Sequence, residues 1–280
     1  MSLSRYDGRL VIVASRHDKA AAITRPMAKL LGVRLWSPPD LDTDQFGTFS
    51  GDVARPGTPV EMLHAKIALC RSVLPNPIMV ASEGSYAQHP LFRCVALAHE
   101  WMIWDDAANG FQLIEHKAAI TPHYYAAMLE NVAELELLLQ RCGWPKLAVT
   151  VHPADLNLPS YKGLQTGADI QAAIETLQAA GAKKIQIATD MRANLHPYRQ
   201  RTIRHLAAKL ARRVRTACPQ CHQFGFGQRH TESGLECADC RTPSNQLKAI
   251  CRRCEFCDYR KYTWRAAGQA DPFYCPYCNP

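Results

Sequence analysis

The sequence predicts an α/β protein: a mixed-sheet body with room for two α/β lobes, followed by a long helix and a tail of tandem zinc ribbons. Three observations point there. Short apolar runs alternate with helix-period segments before residue 190. Pro197 then opens a stretch with apolar residues at Ile203, Leu206, Ala207, Leu210 and Val214, the spacing of one helix face. Four Cys-x-x-Cys pairs follow between Cys218 and Cys278. These shifts divide the chain into an α/β lobe at 1–122, a second α/β segment at 123–195, a linking basic helix at 196–217 and the cysteine tail at 218–280.

Taken in order, residues 10–14 (LVIVA) form a continuous apolar run suited to a buried strand, and residues 18–31 carry Ile23, Met27, Leu30 and Leu31 at helical spacing. A loop rich in Pro, Asp and Gly precedes a second helix at 60–74 and a second strand at 77–81. Residues 93–104 and 111–117 read as a hairpin around the turn-rich segment 105–110. The apolar residues Leu129, Val132, Leu135, Leu138 and Leu139 predict an amphipathic helix over 124–141, stopped by Gly143-Trp144-Pro145. A strand at 147–151, a helix at 167–180 and a strand at 184–188 complete the body, and the last helix is expected to run from Pro197 to about residue 216.

Charge and length exclude some classes. No apolar run approaches the roughly 18 to 20 residues of a membrane span, and the opening residues lack the basic and apolar regions of a signal peptide, so the expected address is the cytoplasm. In that reducing compartment the twelve cysteines are poor disulfide candidates, and nine of them lie in the tail. From Met191 onward the chain holds 16 of its 33 Lys and Arg but 6 of its 25 Asp and Glu, so the basic character is C-terminal. Two all-thiolate zinc sites would each contribute −2 and bring that segment from +10 to about +6.

Each Cys-x-x-Cys turn presents two thiolates from one tight loop, and two turns complete a tetrahedron. The ligands are Cys218, Cys221, Cys237, Cys240, Cys254, Cys257, Cys275 and Cys278, expected to pair sequentially as two structural Zn2+ sites. Interleaving is the other arrangement, and Cys251 competes with Cys257 as partner of Cys254. Around them Arg252, Arg253, Arg260, Lys261 and Arg265, with Tyr259, Tyr262, Trp264 and Phe273, would suit a nucleic acid or protein partner. Arg201, Arg204, Lys209, Arg212, Arg213 and Arg215 on the preceding helix add to that basic surface, although cations near a helix C-terminus also answer the macrodipole.

Several phrases, among them Gly47-Thr48-Phe49-Ser50-Gly51, Ala81-Ser82-Glu83-Gly84-Ser85 with His89-Pro90-Leu91-Phe92, Thr189-Asp190-Met191-Arg192 and the closing cysteines, resemble an uncharacterised bacterial family whose domain has no assigned function. The order of residues 13–19, Thr58 through Ala65-Lys66, and Val80 through Gly84 is also similar to the inosine and xanthosine triphosphate pyrophosphatases. That second resemblance implies a hydrolase for nucleotides or other phosphorylated ligands. Ser15 and Lys19 would cradle phosphate, Asp44 (or Asp42) and Glu83 would hold Mg2+, and Lys66 would stabilise developing charge. The chain departs from those enzymes where Ser82-Glu83 replaces a pair of acids and Arg16-His17 replaces an Asn. Asp190 and Arg192, following a strand, form a third candidate site, and His99, Glu100, His116 and His123 could add ligands or a base. The rival expectation is a non-catalytic adaptor for nucleic acid or protein.

Overall fold

The computed structural model describes residues 5–15, 19–39, 41, 43, 46, 55–76, 78–88, 95–121, 123–264 and 268–280. Asp42, Asp44, Arg16, His17, 47–51, 89–92 and Arg265, named above, lie outside the described residues. The chain forms two compact units, a body at Met1–Ala211 and a tail at Arg212–Pro280.

The body begins with β1 (Leu10–Ala14), α1 (Lys19–Leu31) and β2 (Arg34–Trp36), then α2 (Pro59–Val73), β3 (Ile78–Gln88), β4 (Ala96–Asp106) and β5 (Phe111–Thr121). Its first sheet has the order β2-β1-β3-β4-β5, with β1 parallel to both β2 and β3 and the remaining pairs antiparallel. Helix α2 starts sharply because Thr58 and Glu61 form a reciprocal capping box with Pro59 at its first position. Its inner face sets Leu63, Ile67 and Cys70 against Ile12, Ala14, Met79, Ala81 and Ile103 of the sheet. Since β2 and β3 flank β1 on opposite sides, right-handed crossovers put α1 on the other face.

A four-stranded sheet follows in the order β6-β9-β7-β8, built from β6 (Ala126–Leu129), β7 (Val149–Pro153), β8 (Tyr161–Leu164) and β9 (Ile185–Thr189). Two helices, α3 (Leu135–Cys142) and α4 (Gly167–Ala179), contribute Leu138, Leu139, Ile170, Ile174 and Leu177 to its core with Val149, Val151 and Ile187. The expected long helix over 124–141 is therefore corrected. Residues 126–129 pair as a strand with β9, Thr189 fixes Tyr125 by accepting from its backbone N–H at 3.1 Å, and only the second half of the segment is helical. Tertiary pairing overrode a helical pattern whose first half has no capping residue. β2 and β8 were not expected; at three and four residues they are too short to show a period.

Helix α5 (Pro197–Val214) buries Ile203, Leu206, Ala207, Leu210 and Val214, as the sequence spacing requires. Near its start the wholly buried Arg199 donates through Nε to Glu100 Oε1 at 2.6 Å and through Nη1 to the Met191 carbonyl. One guanidinium thus joins the first sheet to the loop leaving β9. Gly84 faces this contact: a Cβ there would stand 2.5 Å from Arg199 Nη2 and 2.9 Å from the Glu100 carboxylate.

The tail holds β10 (Gln228–Ser233), β11 (Leu247–Arg253) and β12 (Arg260–Trp264) in one antiparallel sheet. Among the described residues no helix is long and apolar enough to cross a membrane.

Gly84→Ala is expected to lower stability by about 1–3 kcal/mol through overpacking against Arg199 and Glu100. Gly167→Ala, where a Cβ meets nothing within 4 Å, should be within about 0.5 kcal/mol of neutral. Chemical denaturation of the two variants checks this, and equal effects would contradict it.

Candidate functional sites

Two sites emerge, a pair of four-cysteine clusters in the tail that could each hold a metal ion and a buried cluster of charges in the body. In the tail the four knuckles interleave. Cys218 and Cys221 face Cys254 and Cys257, while Cys237 and Cys240 face Cys275 and Cys278, each set with its ligand atoms within 4.8 Å of one another. The expected sequential pairing is corrected to the interleaved arrangement that the sequence left open, and strand register gives the reason. Gln228 at the start of β10 pairs with Arg253 at the end of β11, so the knuckles just outside that hairpin meet. Ala249 pairs with Trp264, so the chain leaving β12 returns to the end where the β10–β11 connection carries the second knuckle; Cys237 bridges Ala270 there.

Cross-knuckle Sγ separations are 3.8 Å and 3.6 Å in the first set and 3.8 Å and 3.5 Å in the second. A tetrahedron of thiolates at 2.3 Å from a zinc ion has edges of about 3.8 Å. Each cluster fits one metal ion of that size, with no ligand position left for water. Cys251 is buried on β11 and belongs to neither set. His222 and His230 are outside both sets as well.

In the body, strand β3 runs on to Gln88, so Ser82, Glu83, Gly84 and Ser85 lie within a strand and not in an exit loop. Their side chains therefore alternate between faces. Glu83 points to the α2 face, where Lys66 donates to Oε2 and to the Ser82 carbonyl. Arg55 donates to Glu83 Oε1 at 2.7 Å and to the Gly84 carbonyl at 2.6 Å. Burial pushes the Glu83 carboxyl up, but Lys66, Lys19 and Arg55 together outweigh it and hold the group below its ordinary range. On the opposite face Glu100 accepts from Arg199 and from Tyr86 Oη at 2.8 Å.

Lys19 opens α1 just beyond the end of β1 and is 7% exposed. It makes no hydrogen bond or ion pair among the described residues. Burial, then the charges of Arg199 and Lys66, pull its ammonium down to about 7, against smaller opposing contributions from Glu83 and Glu100. Ser82 Oγ and Glu100 Oε2, each on a residue 1% exposed, also lack hydrogen-bond partners among the described residues.

The charge count separates this cluster from the rest of the body. Asp105 is matched by Arg71, Asp106 by Arg5, Glu115 by Lys209 and Asp190 by Arg192. Around β3, among the described residues, Lys19, Lys66, Arg55 and Arg199 stand against Glu83 and Glu100. An excess of cations held away from water favours a nearby anion.

The structure thus brings together Lys19, Lys66 and Glu83. Ser15 is buried at the end of β1, its carbonyl accepting from Ser37 Oγ at 3.0 Å. Asp190 does not join them. It follows β9 in the second sheet, where its carboxylate accepts from the Gly163 N–H at 2.8 Å and from the backbone and guanidinium of Arg192 at 2.7–3.1 Å, a local clamp on the β8 loop. Arg55, Arg199 and Glu100 are the members sequence reasoning missed or ranked low. A carboxylate on the alternate face of an apolar strand, as Glu100 is, needs a cation, and the first turn of the basic helix was the place to look for it. On that helix Arg213 and Lys209 also prove to be ion-pair partners, of Glu255 and Glu115.

Native mass spectrometry should find two divalent metal ions per chain. Cys257→Ser should lose one and leave the Cys237, Cys240, Cys275 and Cys278 centre filled, while Cys251→Ser keeps both. Loss of metal in Cys251→Ser would contradict the ligand assignment.

A family model described as Domain of unknown function (DUF6671) matches residues 73–280, a span containing Glu83, Glu100, Arg199 and all eight clustered cysteines but beginning after Lys19 and Lys66. No curated protein matches the chain. With nearly three quarters of its length inside that model, the chain belongs to the DUF6671 family.

Proposed function

We propose that the body binds a nucleotide or other phosphorylated ligand at the end of β1, with the tail holding two structural zinc ions. The observation that carries the first part is Lys19: a buried ammonium with no hydrogen-bond or ion-pair partner among the described residues, which set three more cations and two carboxylates beside it. A phosphate group there would supply the missing charge, and Lys19 stands at the start of a helix whose first N–H groups need acceptors. Ser82 Oγ adds an uncommitted hydroxyl nearby on β3. Glu83 has one oxygen taken by Arg55 and the other by Lys66, which suits it to hold those cations in place more than to hold Mg2+. Hydrolysis assisted by Mg2+ would require one of those pairs to open.

For the tail, four thiolates at tetrahedral spacing favour zinc, and closed coordination favours a structural role. Because each centre joins knuckles distant in sequence, metal removal is expected to unfold the tail as a unit.

A second reading rests on a separate feature. Arg229, Arg252 and Lys261 lie directly opposite one another across β10, β11 and β12, all exposed. Like charges in such a row repel unless an anion screens them, and a single-stranded nucleic acid backbone would do so. Weighing against it, the tail's eleven Lys and Arg and six Asp and Glu, with −2 from each metallated centre, leave it near +1.

Isothermal titration with inorganic tripolyphosphate tests the leading proposal. Lys19→Met should weaken binding roughly tenfold or more, the scale of a charge-assisted hydrogen bond. The pH sign follows from the lowered ammonium: Lys19 is charged below about 7 and loses its proton above it, so wild-type affinity should fall as pH rises through 7 to 9. Lys19→Met should lose that part of the pH dependence. Equal binding by both proteins at every pH would contradict the proposal. For the second reading, replacing Arg229, Arg252 and Lys261 with Ala should reduce the salt slope for oligo-dT binding by about 2; an unchanged slope rules the row out.

A further inference from the structure

The face of the first sheet that carries Glu83 continues sideways into aromatic side chains. Glu83 on β3 is in register with Trp101 on β4, and Trp101 with His116 on β5. In the next row Ser85 is in register with His99. Register partners in an antiparallel sheet point to the same face, so Trp101, His99 and His116 stand beside the Glu83, Lys66 and Arg55 cluster, one to two strand spacings away, about 5 to 10 Å.

The three rings lie nearly parallel to one another. His99 Nδ1 and His116 Nε2 are 2.9 Å apart, sharing one hydrogen bond, with the two imidazoles within 6° of parallel. Trp101 stacks on both, at 4.6 Å from His116 and 5.2 Å from His99, with planes 19° and 14° apart. His116 is exposed, and His99 and Trp101 are partly so. Burial, His99 and Lys209 lower the His116 pKa, with Glu115 opposing. Parallel rings with an exposed surface are a stacking platform, and the ring nitrogens outside the shared bond, His99 Nε2 and His116 Nδ1, offer a polar edge.

We infer that the ring assembly of Trp101, His99 and His116 is the base-binding half of a nucleotide site, stacking a purine whose phosphates reach the Lys19, Lys66 and Arg55 cations. This inference rests on the phosphate site proposed above. The separation is the reach of a ribose with one or two phosphates, and the wide ring assembly matches a bicyclic base better than a monocyclic one. The ligand class is therefore a purine nucleoside di- or triphosphate.

The experiment compares inorganic tripolyphosphate, ATP, GTP and CTP by isothermal titration, using zinc-replete wild-type protein, Trp101→Leu and His116→Ser. Wild type is expected to bind the purine nucleotides roughly tenfold or more tighter than tripolyphosphate, with CTP between. Trp101→Leu should lose that advantage and His116→Ser part of it, while both keep the tripolyphosphate affinity. That retained affinity shows that the variants are folded. Tryptophan emission should be quenched by ATP and not by tripolyphosphate. Equal wild-type affinity for ATP and tripolyphosphate, or an advantage that survives Trp101→Leu, overturns the base platform and leaves the phosphate site standing. Trp101-dependent ATP binding without any tripolyphosphate binding overturns the phosphate site instead, and no binding of any probe overturns both.

Discussion

The body depends on one buried guanidinium. Arg199 brings a permanent charge into a place with no exposure, and such a charge is tolerated only when it is paired and its donors are used. Glu100 supplies the pairing and the Met191 carbonyl accepts a second bond. Burial opposes the charge, but Glu100 and Tyr86 outweigh it and raise the pKa of Arg199 above its ordinary value. The geometry of this contact dictates Gly84 in β3, since any side chain would enter the space of the pair. It also fixes the loop after β9 against the first sheet, which is why Asp190 serves as a local clamp there and not as a member of the charged cluster.

That pair explains the state of Lys19. With Glu100 bound to Arg199, and Glu83 bound to Lys66 and Arg55, no carboxylate among the described residues is left for the fourth cation. At an effective dielectric of about 20, an opposite charge 4 Å away is worth about 4 kcal/mol, so an ammonium without one is pressed toward its neutral form. A value of about 7 leaves Lys19 balanced between the two forms at neutral pH, and the proposed anion would favour the charged one. Sites tuned in this way are common where ligands bind.

How much of this was legible in the sequence differs by feature. The runs at Leu10–Ala14 and Ile185–Thr189, the capped helix after Thr58 and the apolar stripe of α5 each carry a period or a cap, and the structure keeps them. The segment after Tyr124 failed because its leucines fit a helix while its first residues were needed as an edge strand beside β9. The cysteines announced metal centres, but not their pairing. Knuckle spacing is local, whereas the interleaving follows from which strands share hydrogen bonds across β10, β11 and β12. In the charged cluster Lys19, Lys66 and Glu83 stood out from their positions at the ends of strands and on a helix. Arg55 and Arg199 did not, because a cation in a loop or a basic helix looks the same whether it is solvated or buried.

The two units divide the work between two kinds of electrostatics. In the tail a metal ion in each centre would gather four thiolates, and the local charge problem is solved inside the centre. In the body the imbalance is left open at Lys19. The most direct test of that claim is an NMR titration of the Lys19 side chain, assigned by comparison with Lys19→Met, before and after tripolyphosphate is added. The account predicts a pKa of about 7 in the free protein that moves up on binding. A Lys19 that titrates in the ordinary lysine range, or one whose titration does not respond to tripolyphosphate, would contradict it.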